Sequence, residues 1–308
     1  MKPVSPAPAL PSLQARLIAR GLRRLIKPRR LQPADIPMLR SLTLALTRAG
    51  IPRNLRLERI NSPRGEWLWP ENPRQPARRG RALLYLHGGG YICGAPRSHR
   101  ALTTRLAQTL NIPVFALDYR LAPEHPFPAA LDDAEAAWQW LLHRHALRAD
   151  RIYLAGDSAG GGLALALLLR LKQKALPMPA AAALFSPWAD LAMSGASYRE
   201  NIQHCAWFMP AQVRLAARLY AGAMAMSDPF LSPLHGDLHG LPPLILHVSD
   251  SELLRDDTLA LADKARQAGV MVQCKEWHGL PHAWPNFVGL MPEADLCLAE
   301  TCKALATI

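Results

Sequence analysis

The pattern of apolar and polar positions divides the chain into three textures. Residues 12–30 place Leu13, Leu17, Leu22 and Ile26 among arginines at helical spacing, and Pro28 stops the pattern. Residues 33–50 read as a second helix, with Pro33 near its start and Gly50 at its end. LRLERI (55–60) and EWLWP (66–70) then alternate as strands do, and a Pro/Arg-rich loop occupies 70–80. From there, short apolar strands at 82–87, 113–119, 151–156, 180–185, 244–248 and 272–277 alternate with helices at 98–110, 129–146, 161–174, 256–268 and 293–306. This alternation predicts an α/β fold, a mostly parallel sheet covered by helices on both faces, with the two early strands as an antiparallel edge.

Residues 190–235 break the rhythm. They lack a clear strand, and with Trp188 just ahead of them they hold Trp207, Phe208, Met209, Tyr220, Met224, Met226 and Phe230. An insertion of this kind between two strands predicts a lid, although most of these side chains suit ordinary helix packing. The predicted division is 1–50 as the N-terminal helical part of a cap, 51–189 and 236–308 as the core, and 190–235 as the cap insertion.

Composition narrows the class. Half of the 308 residues are apolar and 19% are charged, as in a globular enzyme with a large core. No run of about 18 apolar residues suggests a membrane span, and Met1 to Pro11 lacks the apolar core of a secretory signal. The five cysteines, at 93, 205, 274, 297 and 302, form no CxxC pair and predict free thiols in a reducing, cytoplasmic setting. The net charge of +12 is uneven: residues 1–81 carry +14 and residues 82–308 carry −2. The basic segment is expected to be a solvated face of the cap helices, with no nucleic acid as partner, because no aromatic interleaving or nucleic-acid motif accompanies it. Weak contact with an anionic surface and a homodimer stay open, and stable membrane insertion is not expected.

The chemistry is carried by two glycine-rich turns. Strand 151–156 runs into Gly156-Asp157-Ser158-Ala159-Gly160, followed by an apolar helix. G-x-S-x-G between a strand and a helix reads as a nucleophile elbow, with Ser158 projecting at the carboxyl end of the sheet and helix N–H groups behind it. Upstream, strand 82–86 ends in His87-Gly88-Gly89-Gly90-Tyr91. An HGGG loop after a buried strand predicts an oxyanion hole, with N–H donors from Gly88, Gly89 and Ala159. A phosphate cradle would need a lysine or a GxGxxG spacing, and neither is present. His87 reads as a structural residue of the loop.

Chain order asks for an acid and then a histidine. His278 and His282 both follow the strand at 272–277. His278, next to the strand, should be edge-exposed, and His282 lies in the loop from which a base could reach Ser158. The acid should follow strand 244–248. Asp250 and Glu252 both qualify, whereas Asp256 and Asp257 read as cap and first-turn residues of the next helix.

The chain resembles the hormone-sensitive-lipase-like esterases of the α/β-hydrolase fold. The resemblance rests on LHGGGYICGAPRSHR (86–100), LDYRLAPEHPFPAALDDAEAAWQWL (117–141), LAGDSAGGGLALALLLRL (154–171), LFSPWADL (184–191), DPFLSPLHGDLHGLPPLILHVSDSELLRDD (228–257) and GLPHAW (279–284). It implies an eight-stranded core, a helical cap, and no cofactor or metal. It implies Ser158 as nucleophile, His282 as base, and Gly88, Gly89 and Ala159 as oxyanion donors. Many members carry Asp-Pro-Leu where this chain has Glu252-Leu253-Leu254, and a branch is known for glutamate there, so Glu252 is the implied acid and Asp250 the alternative. Arg120 and Glu124, in the D-Y-R-L-A-P-E stretch, are expected to pair with each other as structural support. The expected function is serine carboxylesterase action on short- to medium-chain carboxylic esters. Lactone or amide cleavage on the same triad is the alternative, and a non-catalytic small-ligand binder is disfavoured because Ser158 and His282 are both retained.

Overall fold

The computed structural model describes residues 10–27, 30–46, 50–71, 80–144 and 146–308. Most of the predicted 70–80 loop and residues 1–9 therefore lie outside the described residues. Eight strands form one sheet in the order β1-β2-β4-β3-β5-β6-β7-β8. They are β1 (Leu55–Asn61), β2 (Arg64–Pro70), β3 (Ala82–Leu86), β4 (Val114–Leu117), β5 (Ile152–Asp157), β6 (Ala181–Phe185), β7 (Leu244–Ser249) and β8 (Val272–Trp277). β1 pairs antiparallel with β2, and β2 antiparallel with β4, so the two early strands form the expected edge. All other pairings are parallel.

β3, β4, β5 and β6 are buried throughout, which their continuous apolar runs require of a sheet covered on both faces. The covering helices are α3 (Arg100–Leu110), α4 (Ala129–Arg144), α5 (Ala159–Gln173), α8 (Arg255–Gln267) and α9 (Pro292–Ala306). One buried cluster gathers Leu84, Trp138, Leu165 and Leu246, and a second gathers Leu83, Leu106, Trp284 and Leu298. Helix α5 begins at Ala159, earlier than its apolar pattern suggests. Gly161 and Gly162 belong to its first turn, and a Cβ on Gly162 would stand 2.1 Å from the Trp188 carbonyl, so close packing rather than a loop explains the glycine there.

Ahead of the sheet lie α1 (Leu13–Leu25) and α2 (Ile36–Leu46). The 190–235 segment, between β6 and β7, contributes α6 (Ser197–Glu200) and α7 (Pro210–Ala221). Arg23 of α1 donates to the carbonyl of His204, and Lys27 to that of Ile202, so the first helix docks on this segment. Arg40 of α2 reaches the carbonyls of Ile92 and Ala122 and pairs with Glu124 at 2.7 Å. Arg120 instead pairs with Asp133 of α4 at 2.8 Å. The expected Arg120–Glu124 pair is thus corrected: Arg120 meets Asp133, 13 residues on, and Glu124 meets Arg40, 84 residues back. No described helix is long and apolar enough to cross a membrane.

His247, on β7, is fully inside. Its Nδ1 accepts from the Trp277 indole at 3.1 Å and its Nε2 lies 3.0 Å from Thr301 Oγ1. Burial, reinforced by the charge of Lys275, lowers its pKa to about 3, and burial lowers that of His87 to about 3 as well. A histidine kept neutral inside binds its proton only on unfolding. Between pH 6.5 and about 3 the unfolded chain therefore holds more protons, and stability falls as pH falls through that window. Urea unfolding at stepped pH should show this slope, and His247→Asn should flatten it. An unchanged slope in the variant would show that His247 does not carry it.

Candidate active site

Three loops at the carboxyl ends of parallel strands meet at one end of the sheet. The first is the turn after β5. Ser158 has φ +53° and ψ −122°, a conformation unfavourable for a side-chain-bearing residue. It persists because the turn is over-determined: Ser158 N–H donates to Phe185 O at 2.8 Å, and its carbonyl accepts from Trp188 N–H at 2.9 Å. A Cβ on Gly160 would stand 2.1 Å from the Leu86 carbonyl, and one on Gly156 2.4 Å from that of Gly160, so the sequence spaces its glycines as this close approach demands.

The second loop follows β3. His87 is buried, stacks on Tyr119 at 4.2 Å and has its Nδ1 2.8 Å from Gly88 O, as suits the structural residue expected. The assignment of Gly88 as an oxyanion donor is corrected. Its N–H donates to Asp157 Oδ1 at 2.9 Å and it is buried, so that donor is already used. Among the described residues no acceptor takes the N–H of Gly89, Gly90 or Ala159. Gly90 was missed from sequence because three adjacent glycines look alike until the partner of the first is known.

That partner is a further residue missed. Asp157, the variable position of the elbow motif, is 2% exposed. It accepts from Gly88 N–H, from Tyr85 O–H at 2.6 Å and from Asn286 Nδ2 at 3.0 Å, and His99 Nε2 lies 3.4 Å away. Burial opposes its charge, but the His99 charge and these donors outweigh burial and hold the carboxyl well below its usual range. Burial likewise disfavours charged His99, and the facing carboxylate overcomes this and raises its pKa. The sequence signal was an aspartate at the end of a wholly apolar strand, where only a satisfied charge is tolerated.

The third group comes from the loops after β7 and β8. His282 Nδ1 and Glu252 Oε2 are 2.5 Å apart, with the side chains 5% and 1% exposed. Glu252 Oε1 accepts from Ser186 Oγ and from Ser249 N–H, each at 2.8 Å. Ser186 directly follows Phe185, the residue that accepts the Ser158 N–H, so one short segment touches both the elbow and the carboxylate. The Nε2 of His282 is buried without a hydrogen-bond partner among the described residues. Phe208, from the 190–235 segment, stands edge-on to the His282 ring at 4.9 Å.

Asp250 is elsewhere. It accepts from Gly279 N–H at 2.8 Å and pairs with His278, which is 54% exposed, at 2.5 Å. It therefore ties the loops after β7 and β8 together. Asp256 and Asp257 lie in the first turn of α8, but neither is its cap, which is Leu254. Asp257 is buried and accepts from the N–H groups of Ala189 and Asp190, and burial, with Asp190 nearby, pushes its carboxyl well above the usual range. Among the described residues no group of three or more histidine, cysteine, aspartate or glutamate side chains is placed to hold a metal ion.

A family profile for the alpha/beta hydrolase fold matches residues 83–286. The chain belongs to this family. It is 46% identical over 220 residues to an acetyl-hydrolase of Streptomyces hygroscopicus, covering 71% of this chain and 73% of that one. It is 36% identical over 243 residues to an ethyl acetate hydrolase of Pseudomonas putida, covering 75% and 74%. A crystal structure of an esterase from the bacterial hormone-sensitive lipase family superposes with a TM-score of 0.89 at 36% identity, covering 96% of this chain and 98% of that one. The hormone-sensitive-lipase-like resemblance read from the motifs therefore holds.

The Gly88 contact makes a steric forecast. A Cβ at position 88 would stand 2.4 Å from Asp157 Oδ2. Gly88→Ala should cost about 1–3 kcal/mol, the usual range for forcing volume into a packed site. Thermal melting of the variant checks this, and a midpoint equal to that of the unaltered chain would show that the carboxylate does not fill the space.

Proposed function

We propose that the protein hydrolyses short- to medium-chain carboxylic esters through an acyl-enzyme on Ser158, with His282 as base and Glu252 as acid. The observation that carries this reading is the buried His282–Glu252 pair, which leaves Nε2 unpartnered at the sheet end where the strained elbow presents Ser158. In the first half-reaction Ser158 Oγ bonds to the ester carbonyl carbon as its proton passes to His282 Nε2. The carbonyl electron pair moves onto oxygen, and the N–H groups of Gly89, Gly90 and Ala159 stabilise that charge, aided by the amino end of α5. Collapse breaks the bond to the alkoxy oxygen, which leaves with the proton from Nε2. Water then repeats the sequence on the acyl-enzyme. Glu252 fixes the ring through Nδ1–H and stabilises the imidazolium.

The 1–50 and 190–235 segments form the cap in this reading. Phe208 supplies apolar surface beside His282, and Tyr220, buried and stacked on Tyr91 at 3.6 Å, ties the 190–235 segment to the loop after β3. That surface suits an acyl chain of modest length, and the ethyl acetate hydrolase relative points the same way. Five free cysteines support a reducing, cytoplasmic setting. Weak contact of the basic N-terminal segment with anionic surfaces and assembly into a homodimer remain compatible with this reading.

An organophosphate should label Ser158 alone, and Ser158→Ala should lose about three decades of kcat or more. Labelling at another serine would remove the mechanism. Glu252→Gln should cost up to about four decades, whereas Asp250→Asn should lower the thermal midpoint more than kcat. The opposite pattern would make Asp250 the acid. On a graded series of acyl esters, kcat/KM should decline before about twelve carbons, and a steady rise past that length would contradict a covered pocket of ordinary ligand size.

A further inference from the structure

We infer that Asn201 is a positioning residue through which the 190–235 segment holds the acid loop in register with His282. The inference rests on the reading of Glu252 as the acid. Asn201 follows α6 directly. Its single Nδ2 donates to two backbone carbonyls, Asp250 O at 2.7 Å and Glu252 O at 2.8 Å. One amide group thus spends both hydrogens on the residues that bracket Ser251. Only a side-chain amide at this distance offers two donors in one plane: an aspartate would turn a carboxylate oxygen toward two carbonyls, and a serine would satisfy one.

The contact is one link of a longer chain. Ser197 of α6 donates to Leu253 O at 2.7 Å, and its N–H donates to Asp256 at 2.8 Å. Behind Asn201, its carbonyl accepts from the N–H groups of His204 and Cys205, the carbonyl of His204 takes Arg23 of α1, and that of Ile202 takes Lys27 just past the end of α1. A connected set of hydrogen bonds therefore runs from the first helix through residues 201–205 into the loop that carries Glu252. The Glu252 carboxylate is held at its far end by Ser186 and Ser249, so the near end, its backbone, is where the cap acts. Working constellations tolerate displacements of only about 0.5 Å, and a displacement of the loop would lengthen the contact to His282 Nδ1. Other titratable groups around the pair are Cys205, whose thiol burial raises above its usual range, the Asp250–His278 pair, and Arg255 and Asp256 at the start of α8.

The test compares Asn201→Ala, Asn201→Asp, Asn201→Gln and the remote Lys27→Met in the full chain, with Glu252→Gln as reference, on a soluble short-chain p-nitrophenyl ester. Asn201→Ala and Asn201→Asp should lower kcat by about 10- to 100-fold, the scale of a 1 Å misplacement. KM should stay within about twofold, because no contact to substrate is removed. A loosened carboxylate stabilises the imidazolium less, so the acid limb of kcat/KM should shift to lower pH. The downfield proton resonance of His282 Nδ1–H should weaken. Asn201→Gln should recover part of the loss, and Lys27→Met should show a smaller version of the same pattern. Should the alanine variant not fold, the isosteric aspartate and the remote lysine variant read the same signature. Asn201→Asp with unaltered kcat, pH limb and proton resonance, alongside an inactive Glu252→Gln, overturns the inference alone. An active Glu252→Gln removes the acid assignment and the inference with it.

Discussion

The geometry of the active end depends on one buried charge, the carboxylate of Asp157. It sits at the last residue of β5, immediately before Ser158, and accepts from three protein donors while facing His99. The partners come from three parts of the chain: β3 with the loop after it, the start of α3, and the segment after His282. Tyr85 lies within β3 and Gly88 in the loop just after it, His99 stands directly before α3, and Asn286 follows the loop that carries His282. A carboxylate taken out of water costs several kcal/mol unless its oxygens are satisfied, so leaving any of these contacts unmade is penalised. The elbow, the oxyanion loop and the base loop are therefore held to one point by electrostatic necessity. Glycine at position 88 is the steric counterpart, since a side chain there would press on Oδ2 of the same carboxylate whose Oδ1 the backbone N–H meets.

Much of this was legible in the sequence, for a physical reason. The strand and helix alternation is local, and the elbow glycines are required by contacts between residues only a few positions apart, such as Gly156 with Gly160. Ser158, Glu252 and His282 could be ordered because their loops follow β5, β7 and β8 in chain order. What sequence could not supply was the identity of partners across long separations. Arg120 and Glu124 are four residues apart and of opposite charge, yet each is drawn to a helix, α4 or α2, that packs nearby. Gly88 could not be told from Gly90 without knowing that Asp157 lies beneath the first of them. Asp250 stayed an alternative acid in the sequence because its partners, Gly279 and His278, come from the neighbouring strand's loop.

The histidines show how environment separates structural from chemical roles. His247 has protein partners at both ring nitrogens, and burial keeps it neutral. His99 faces a carboxylate through Nε2, but its Nδ1 lies 2.9 Å from Ser98 Oγ, so both nitrogens are again engaged. His278 has a carboxylate partner but stands half in water, where the pair is screened. His87 has an unpartnered Nε2, yet no carboxylate bonds its ring, and burial holds its pKa at about 3, too low for it to store a proton. Among the described histidines only His282 combines burial, a carboxylate on one nitrogen and an unpartnered second nitrogen. A base needs all three: the carboxylate fixes the tautomer and supports the charged form, burial strengthens that support, and the unpartnered nitrogen takes the proton. The residue is thus distinguished by what its neighbours leave undone as much as by what they supply.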